Sequence, residues 1–194
     1  MAESGVLIVA SAPSGCGKST IIHRLMQVRE KLCFSRSATT RAPREGEQDG
    51  VDYFFVSRDS FQSMIRAGEF LEYAEYVGNY YGTPKFAVDE RLEAGCDVYL
   101  DIEVQGAMQV KRQRPETLLI FLMPPSMQEL ERRLVGRGQD DMDTIHRRLH
   151  EAERECAMRD AFDYVVVNDD VERAVAEINE LISAHKRRLT QSNA

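Results

Sequence analysis

Short apolar runs alternate with amphipathic stretches near the start of the chain. Residues 6–10 form an apolar run rich in β-branched side chains, and a turn-rich segment follows over residues 11–17. A run of this kind predicts a buried strand. From Lys18 to Arg29 the apolar side chains recur at helical spacing. We therefore predict a strand, a glycine-rich loop and a helix, in that order.

The same alternation returns after residue 96. Apolar runs predict strands over residues 97–102, 117–123 and 164–167. Helical spacing of apolar residues predicts helices over residues 104–114, 127–135 and 170 to about 189. Strands that alternate with helices predict an α/β fold, in which a parallel sheet is covered by helices on both faces.

Between residues 34 and 95 the pattern changes to short aromatic segments. Strand-like pieces cover residues 53–56, 70–73 and 80–81, and Phe61, Met64 and Ile65 mark the first of two helices. This pattern predicts a small α+β insertion over residues 34–95. The α/β core is then formed by residues 1–33 and 96–194. Within the core, the polar and glycine-containing stretch 136–142 predicts a mobile loop. This loop would form the first part of a lid at about residues 136–148.

Composition limits the classes of function. The chain has 194 residues and a formal net charge of −7, which argues against a broad basic surface for nucleic acid. The longest apolar runs are too short to span a bilayer, and no signal-peptide pattern is present. Four scattered cysteines and four histidines show no metal-ligand spacing, so we expect reduced thiols and a cytoplasmic protein.

The segment Ala12-Pro-Ser-Gly-Cys-Gly-Lys-Ser19 nearly matches the phosphate-binding loop G-x-x-x-x-G-K-[ST], with Thr20 following. In such a loop the backbone N–H groups surround phosphate oxygens at a helix N-terminus. Lys18 would contact the β- and γ-phosphates, and the Ser19 hydroxyl would bind Mg²⁺. The loop alone predicts ATP or GTP as ligand. The residues predicted to contact the nucleotide here are Ser11, Ala12, Pro13, Ser14, Gly15, Cys16, Gly17, Lys18, Ser19 and Thr20.

The sequence also predicts the backbone conformation of one residue of this loop and the reactivity of another. Ala12 stands where the general motif has glycine, and alanine disfavours positive φ, so we expect an ordinary backbone conformation there. Cys16 lies just before a helix N-terminus, where the pKa of a thiol tends to fall. We therefore expect Cys16 to be reactive and to be protected by ATP, although the sequence does not show whether the thiol has a role.

A second polar cluster follows the loop. Arg41 and Arg44 flank Pro43, which disfavours helix before it, so both guanidinium groups can point at one anion. Tyr53 and Tyr81 could each add a phenolic O–H. Taken alone, either arginine is better explained as part of a solvated basic turn.

Six segments together resemble the guanylate kinase family, of the bacterial type. They are Thr39–Val56, Phe70–Glu72, Gly78–Thr83, Asp101–Gly106, Gly136–Gly138 and Val167–Asp170. The resemblance extends over essentially the whole chain. It implies a P-loop NTPase fold with a five-stranded parallel core sheet, a GMP-binding insertion over residues 34–95 and a lid. It also implies reversible, Mg²⁺-dependent phosphoryl transfer from ATP to GMP, and also to dGMP, in purine nucleotide metabolism and GMP recycling.

The resemblance also implies roles for individual residues. Phosphoryl transfer would depend on Lys18, Arg44, Arg137 and Arg148. ATP would be bound by the phosphate loop together with Arg133, Arg137 and Asn168. GMP would be bound by Ser37, Arg41, Arg44, Tyr53, Glu72, Tyr81, Thr83, Asp101, Glu103, Gln105 and Arg148. Mg²⁺ would be bound by Ser19 and, through water, by Asp101. At the position of Glu103 the family often has Asp, which leaves the role of this residue open.

Three other functions compete with this interpretation. Guanylate-kinase-like domains of scaffolding proteins bind partners, but a module of that kind is expected to lose Lys18 and the lid arginines, which are present here. A phosphate-loop kinase for another acceptor is the second alternative. A GTP-hydrolysing switch is the third, and it would need an NKxD-like segment that the chain lacks. The sequence leaves open whether the protein is a monomer or a homo-oligomer.

Overall fold

The computed structural model describes residues 4–138 and 140–192 of the chain. Its strands are β1 (Leu7–Ser11), β2 (Leu32–Phe34), β3 (Ala38–Thr39), β4 (Phe54–Phe55), β5 (Phe70–Tyr76), β6 (Asn79–Pro84), β7 (Asp97–Asp101), β8 (Leu118–Met123) and β9 (Tyr164–Val167). Its helices are α1 (Lys18–Val28), α2 (Arg58–Ala67), α3 (Lys85–Glu93), α4 (Val104–Gln113), α5 (Met127–Gly136), α6 (Met142–Ala157) and α7 (Val171–Ser192), and a 3₁₀ turn covers Arg159–Ala161. In the described parts of the chain, no helix has the length and apolar character that a bilayer crossing requires.

Five strands form a sheet in the order β2-β7-β1-β8-β9. The pairings of β2 with β7, of β1 with β8 and of β8 with β9 are all parallel. The α/β fold with a five-stranded parallel sheet is therefore confirmed. Residues 7–11 and 118–122 are buried along their whole length, which explains their nearly continuous apolar sequence.

The other four strands form a smaller mixed sheet in the order β4-β3-β6-β5. Strands β5 and β6 form an antiparallel hairpin, β3 pairs antiparallel with β6, and β3 pairs parallel with β4. Phe61 of α2 packs under this sheet against Ala38 and Phe70. The predicted α+β character of this stretch is thus confirmed, and both of its predicted helices are present as α2 and α3.

By compactness the chain divides into two units. The first contains residues 1–7, 31–100 and 105–117, and the second contains residues 8–30, 101–104 and 118–194. The division predicted from the sequence, with an insertion over residues 34–95, differs from these units. It corresponds instead to the separation of the smaller sheet from the five-stranded sheet. It remains a proposal about how the fold is organised.

The second unit contains two pairs of packed helices, α1 with α7 and α5 with α6. Helix α1 buries Ile21, Ile22 and Leu25, and it packs against α7. Helices α5 and α6 enclose a separate apolar cluster that contains Leu130, Leu134, Ile145 and Ala152. Because Leu130 and Leu134 are buried in this cluster, the packing fixes α5, the helix that carries Arg133.

The turn between β5 and β6 contains an unusual residue. Val77 has φ 47° and Gly78 has φ 73°, so both central residues of this two-residue turn lie in the left-handed region. A turn of type I′ has this conformation and favours Asn-Gly. A β-branched side chain at positive φ is strained by roughly 1–2 kcal/mol, and Val77 is also largely exposed.

We therefore expect Val77→Asn to raise the free energy of unfolding by about 1 kcal/mol, because asparagine tolerates the left-handed conformation. Urea unfolding of the two proteins measures the difference. Val51→Asn is the matched control, since Val51 is an exposed valine without a positive φ. Equal effects of the two substitutions would show that strain at Val77 contributes nothing.

Candidate nucleotide-binding sites

The loop between β1 and α1 has the backbone that phosphate binding requires. Gly15 and Gly17 have φ values of 90° and 91°, in the left-handed region. A Cβ atom on Gly17 would stand 2.6 Å from the amide nitrogen of Asn168, so a side chain is excluded there on two grounds. Among the described residues, Val77 is the one non-glycine with positive φ. Ala12 therefore has the ordinary backbone conformation that the sequence predicted.

Helix α1 begins at Lys18, immediately after this loop. Its N-cap residue is Gly17, which has no side chain to cap the helix, and its first turn contains no acidic residue. The first N–H groups of the helix are therefore available to an anion, and the helix dipole favours negative charge at the same point. The hydroxyl-bearing Ser19 and Thr20 are both exposed in this first turn.

Lys18 forms an ion pair with Asp101, which is the last residue of β7. Ser11, at the end of β1, donates a hydrogen bond of 2.6 Å to the backbone oxygen of Ile102. These contacts bring the lysine of the phosphate loop together with a carboxylate that the sequence places about 80 residues later. Among the described residues, no group of three or more His, Cys, Asp or Glu side chains has the arrangement of a metal site.

Arg133 and Asn168 both bind the backbone of the phosphate loop. The Asn168 side-chain amide donates to the Cys16 carbonyl at 2.7 Å, and Arg133 Nη1 donates to the same oxygen at 3.2 Å. Arg133 Nη2 also donates to the backbone oxygen of Asn168 at 3.1 Å. Two residues predicted to bind ATP thus lie against the loop that was predicted to bind its phosphates.

Glu129, which the sequence pattern did not single out, orients Arg133. Glu129 accepts a hydrogen bond of 2.8 Å from Arg133 Nε and two from Arg132. These bonds hold the pKa of Glu129 at about 2, well below its usual range. The signal was present in the sequence, since residues three and four apart on a helix lie on one face.

Cys16 does not have the properties that the sequence suggested. Its side chain is buried, and burial raises the pKa of the Cys16 thiol to about 12, although Arg133 and Lys18 act in the opposite direction. The expectation of a lowered pKa is therefore wrong. A nearby helix N-terminus lowers a thiol pKa only when the thiolate remains solvated, and this thiol points into the protein.

We accordingly expect Cys16 to resist alkylation in the native protein. A pKa near 12 instead of 9 leaves about a thousandfold less thiolate at neutral pH. Mass spectrometry after brief iodoacetamide treatment should find Cys16 labelled only in guanidinium-unfolded protein, with or without ATP. The half-buried Cys33 serves as the internal control for the reagent. Rapid labelling of native Cys16 that ATP suppresses would overturn the burial argument.

The lid arginines lie around the connection between α5 and α6. Arg137 follows the last residue of α5 and is exposed. Arg148, on α6, forms an ion pair of 3.0 Å with Asp140. Gln139, within the predicted lid, lies outside the described residues.

Glu155 of α6 was not singled out from the sequence. Its pKa is raised by burial and, to a smaller extent, by the charge of Glu103.

In the first unit, a buried carboxylate lies in the β5–β6 hairpin. Glu72 stands opposite Thr83, and the Thr83 hydroxyl donates a hydrogen bond of 2.6 Å to Glu72 Oε1. Both side chains are buried. A buried carboxylate needs hydrogen-bond donors, and the Thr83 hydroxyl provides one of them for Glu72.

Two glutamines of α4 hold β5 in position, and neither was predicted. Gln113 donates to the backbone oxygens of Phe70 and Leu71, at 3.1 and 2.7 Å. Gln109 exchanges hydrogen bonds with the backbone of Tyr73 in both directions. These bonds fix the strand on each side of Glu72. They require that α4 and β5 meet in space, and the sequence does not reveal this.

The predicted phosphate-binding arginines lie in the loop between β3 and β4. Arg41 forms a two-pronged ion pair with Glu47, at 2.8 and 2.9 Å, and its guanidinium lies over the Tyr53 ring at 5.4 Å. The Tyr53 and Tyr81 rings meet edge to face. Arg44 is exposed. The structure thus groups Arg41, Tyr53 and Tyr81, as the sequence suggested, and adds Glu47 to them.

The remaining predicted residues are distributed between the two units. Ser37 directly precedes β3, and its carbonyl accepts from the Phe54 amide. Gln105 is exposed in the first turn of α4 and belongs to the first unit. Asp101, Glu103 and Arg148, which were predicted for GMP, belong to the second unit together with the predicted ATP residues.

A buried parallel strand, a glycine-rich turn with left-handed glycines, and a helix that opens with Lys-Ser define a P-loop nucleotide-binding protein. The profile of the guanylate kinase family matches residues 4–185. The chain belongs to the guanylate kinase family, and its activity is phosphoryl transfer from ATP to GMP.

Individual relatives agree with this family. The chain is similar to the guanylate kinase of Listeria innocua, with 51% identity over 94% of this chain and 89% of that protein. It is also similar to the guanylate kinase of Streptococcus thermophilus, with 50% identity over 97% and 91% of the two chains. The crystal structure of guanylate kinase from Anaplasma phagocytophilum is similar as well, with a TM-score of 0.70, 36% identity, and 95% and 87% of the two chains covered.

Proposed function

We propose that this chain catalyses Mg²⁺-dependent phosphoryl transfer from ATP to GMP, and also to dGMP, with the site residues assigned below. The observation that carries the proposal is the buried pair of Glu72 and Thr83, beside a second cluster of arginine and tyrosine in the same unit. A buried carboxylate suits the adjacent N1–H and N2–H₂ donors of guanine, and the arginine cluster suits a phosphate.

On the ATP side, the loop backbone from Ser11 to Thr20 binds the phosphates, and Lys18 follows the γ-phosphoryl group during transfer. Lys18 is paired with Asp101, and a phosphate group would be a second anionic partner for the same ammonium group. Arg133 and Asn168 support the loop carbonyl and border the adenine. Arg137 and Arg148 supply positive charge from the lid, and closure of the lid excludes water.

The residues at the head of α1 fit a magnesium ion. Mg²⁺ prefers oxygen ligands and retains several waters, and it commonly binds one or two protein oxygens together with substrate phosphates. Ser19 offers an exposed hydroxyl, and Asp101 offers a partly exposed carboxylate close to Lys18. Ser19 would bind the ion directly and Asp101 through water. When bound, the ion would supply positive charge that offsets the negative charge of the phosphates during transfer.

On the GMP side, Glu72 accepts from guanine while Ser37 and Thr83 supply hydroxyl groups. Arg41, Arg44, Tyr53 and Tyr81 bind the phosphate, and Arg44 also stabilises the transferring group. Asp101, Glu103, Gln105 and Arg148 complete the residues that we assign to GMP.

The chemistry needs orientation and charge more than covalent help. Two unit charges about 4 Å apart repel by roughly 4 kcal/mol at an effective dielectric of 20. Lys18 and the arginines offset this repulsion between the two nucleotides. A phosphate oxygen of GMP then attacks the γ-phosphorus in line, the bond to the β-phosphate oxygen breaks, and ADP and GDP result.

A coupled assay of ADP release with ATP and each of GMP, dGMP, AMP, CMP and UMP tests the substrate assignment. We expect GMP and dGMP to be phosphorylated at least about a hundredfold more efficiently than the others, and no turnover without Mg²⁺. Equal efficiency with AMP would overturn the role of Glu72.

Because all four cysteines are free thiols, the cytoplasm is the compartment that we propose.

A further inference from the structure

Glu47 lies at the centre of the predicted GMP phosphate cluster, although the sequence gave it no role. Its carboxylate oxygens accept hydrogen bonds from both Nη atoms of Arg41, at 2.8 and 2.9 Å. Oε2 also accepts from the backbone N–H of Arg44 at 2.7 Å. One carboxylate therefore connects the two arginines that the proposed function assigns to the phosphate.

The geometry leaves one edge of Arg41 for a ligand. Nη1 donates to the Ala42 carbonyl as well as to Glu47, so these bonds occupy three of the five N–H donors of the guanidinium. The other two donors share the Nε–Nη2 edge, and a phosphate can accept from both at once. Tyr53 and Phe55 lie against the flat face of the group, and the Tyr81 side chain is also a hydrogen-bond partner of Arg41.

Glu47 is itself fixed by a tight turn. Its N–H donates to the Arg44 carbonyl at 3.1 Å, and Gly46 within the turn has φ 87°. To leave this position, the carboxylate would have to break its two hydrogen bonds with Arg41 and the one with the Arg44 N–H. We therefore favour an arrangement in which Glu47 stays bound to Arg41 when the phosphate binds. The alternative is that Glu47 occupies the phosphate site and is displaced by the phosphate.

We infer that Glu47 is a positioning residue, which holds the Arg41 guanidinium so that its Nε–Nη2 edge, together with the Tyr81 hydroxyl, binds the GMP phosphate. The inference rests on the proposed function. It predicts that Glu47 affects the binding of the phosphate group and leaves the binding of guanine unchanged. The pKa of Glu47, which its hydrogen bonds with Arg41 hold at about 2, keeps the carboxylate charged throughout the working range of pH.

The test compares Glu47→Gln with Glu45→Gln in the full-length protein. Each substitution removes one negative charge from the same loop, but Glu45 is exposed and is assigned no role in the site. For Glu47→Gln we expect the Kd and KM for GMP to rise about tenfold, which corresponds to about 1.4 kcal/mol. We expect kcat to remain within threefold and the KM for ATP within twofold. Glu45→Gln should resemble the wild-type protein.

Inhibition by guanosine distinguishes a specific loss of phosphate binding from a general structural defect. It carries the base without the phosphate, so its inhibition constant should be the same in Glu47→Gln and in the wild-type protein. Weaker guanosine binding in Glu47→Gln would show that Glu47 supports the whole unit. Tighter GMP binding in that variant would show that Glu47 competes with the phosphate. Either result would overturn the inference, whereas a wild-type protein that does not bind GMP would refute the proposed function instead.

Discussion

Lys18→Met is expected to lower kcat by about 10²- to 10³-fold, which is the size of effect seen when one group that stabilises developing charge is removed. Lys18 begins α1 at the head of the phosphate loop, where it can follow the γ-phosphoryl group during transfer. Methionine keeps most of the length of the side chain and removes its charge. The measurement is kcat in the coupled ADP-release assay at saturating ATP and GMP.

The stability of the variant distinguishes a catalytic effect from a folding defect. Lys18 is paired with Asp101, whose side chain is 42% exposed, so loss of the pair should change the free energy of unfolding by less than about 1 kcal/mol. Lys31→Met is the matched control, because Lys31 is an exposed lysine in the first unit with no proposed role. A Lys18→Met protein that retains more than a tenth of the wild-type kcat would refute the assignment.

Glu72→Leu is expected to lower kcat/KM for GMP by about a hundredfold to ten-thousandfold. Hydrogen bonds to a charged group contribute about 1.5–3 kcal/mol each, and guanine would donate two to this carboxylate. Adenine has an acceptor at N1 and no amino group at C2, so the same carboxylate discriminates against AMP. Leucine also leaves the Thr83 hydroxyl without the acceptor that Glu72 Oε1 now provides.

The control is Glu75→Leu, on the same strand. Glu75 is exposed, and its ion pair with Arg58, at 3.3 Å, contributes little. A direct titration with ATP should give wild-type affinity for both variants. Glu72→Gln keeps the size of the side chain and loses one acceptor, so we expect a loss of at least about tenfold. A Glu72→Leu enzyme within threefold of wild-type efficiency would show that other residues recognise the guanine.

Most elements of the fold follow from local patterns. Strand β9 and the starts of α1 and α4 match the sequence prediction to the residue, and most other predicted elements match within one or two. Strand β5 extends three residues further than predicted, to Tyr76. Strands β2 and β3 were not located, because three residues and two residues are too few to show a period.

The turn at Val77 was also not predicted from the sequence. The local preference at its first central position is for asparagine, and the chain has valine. The pairing of β5 with β6 on both sides of the turn imposes the left-handed backbone there, since Tyr76 lies opposite Asn79. Tertiary hydrogen bonding thus overrides a local preference.

By itself the sequence determined the phosphate loop, the order of strands and helices, and the residue types gathered for two nucleotides. These features depend on neighbours along the chain, because glycine conformation, helix capping and apolar period act over a few residues. Only the tertiary structure decided that Asp101 meets Lys18, that Arg133 and Asn168 share the Cys16 carbonyl, and that Glu47 fixes Arg41. It also decided the burial that raises the pKa of Cys16. Ion pairing and desolvation depend on which groups lie within a few ångströms in space, and separation along the sequence carries little information about that.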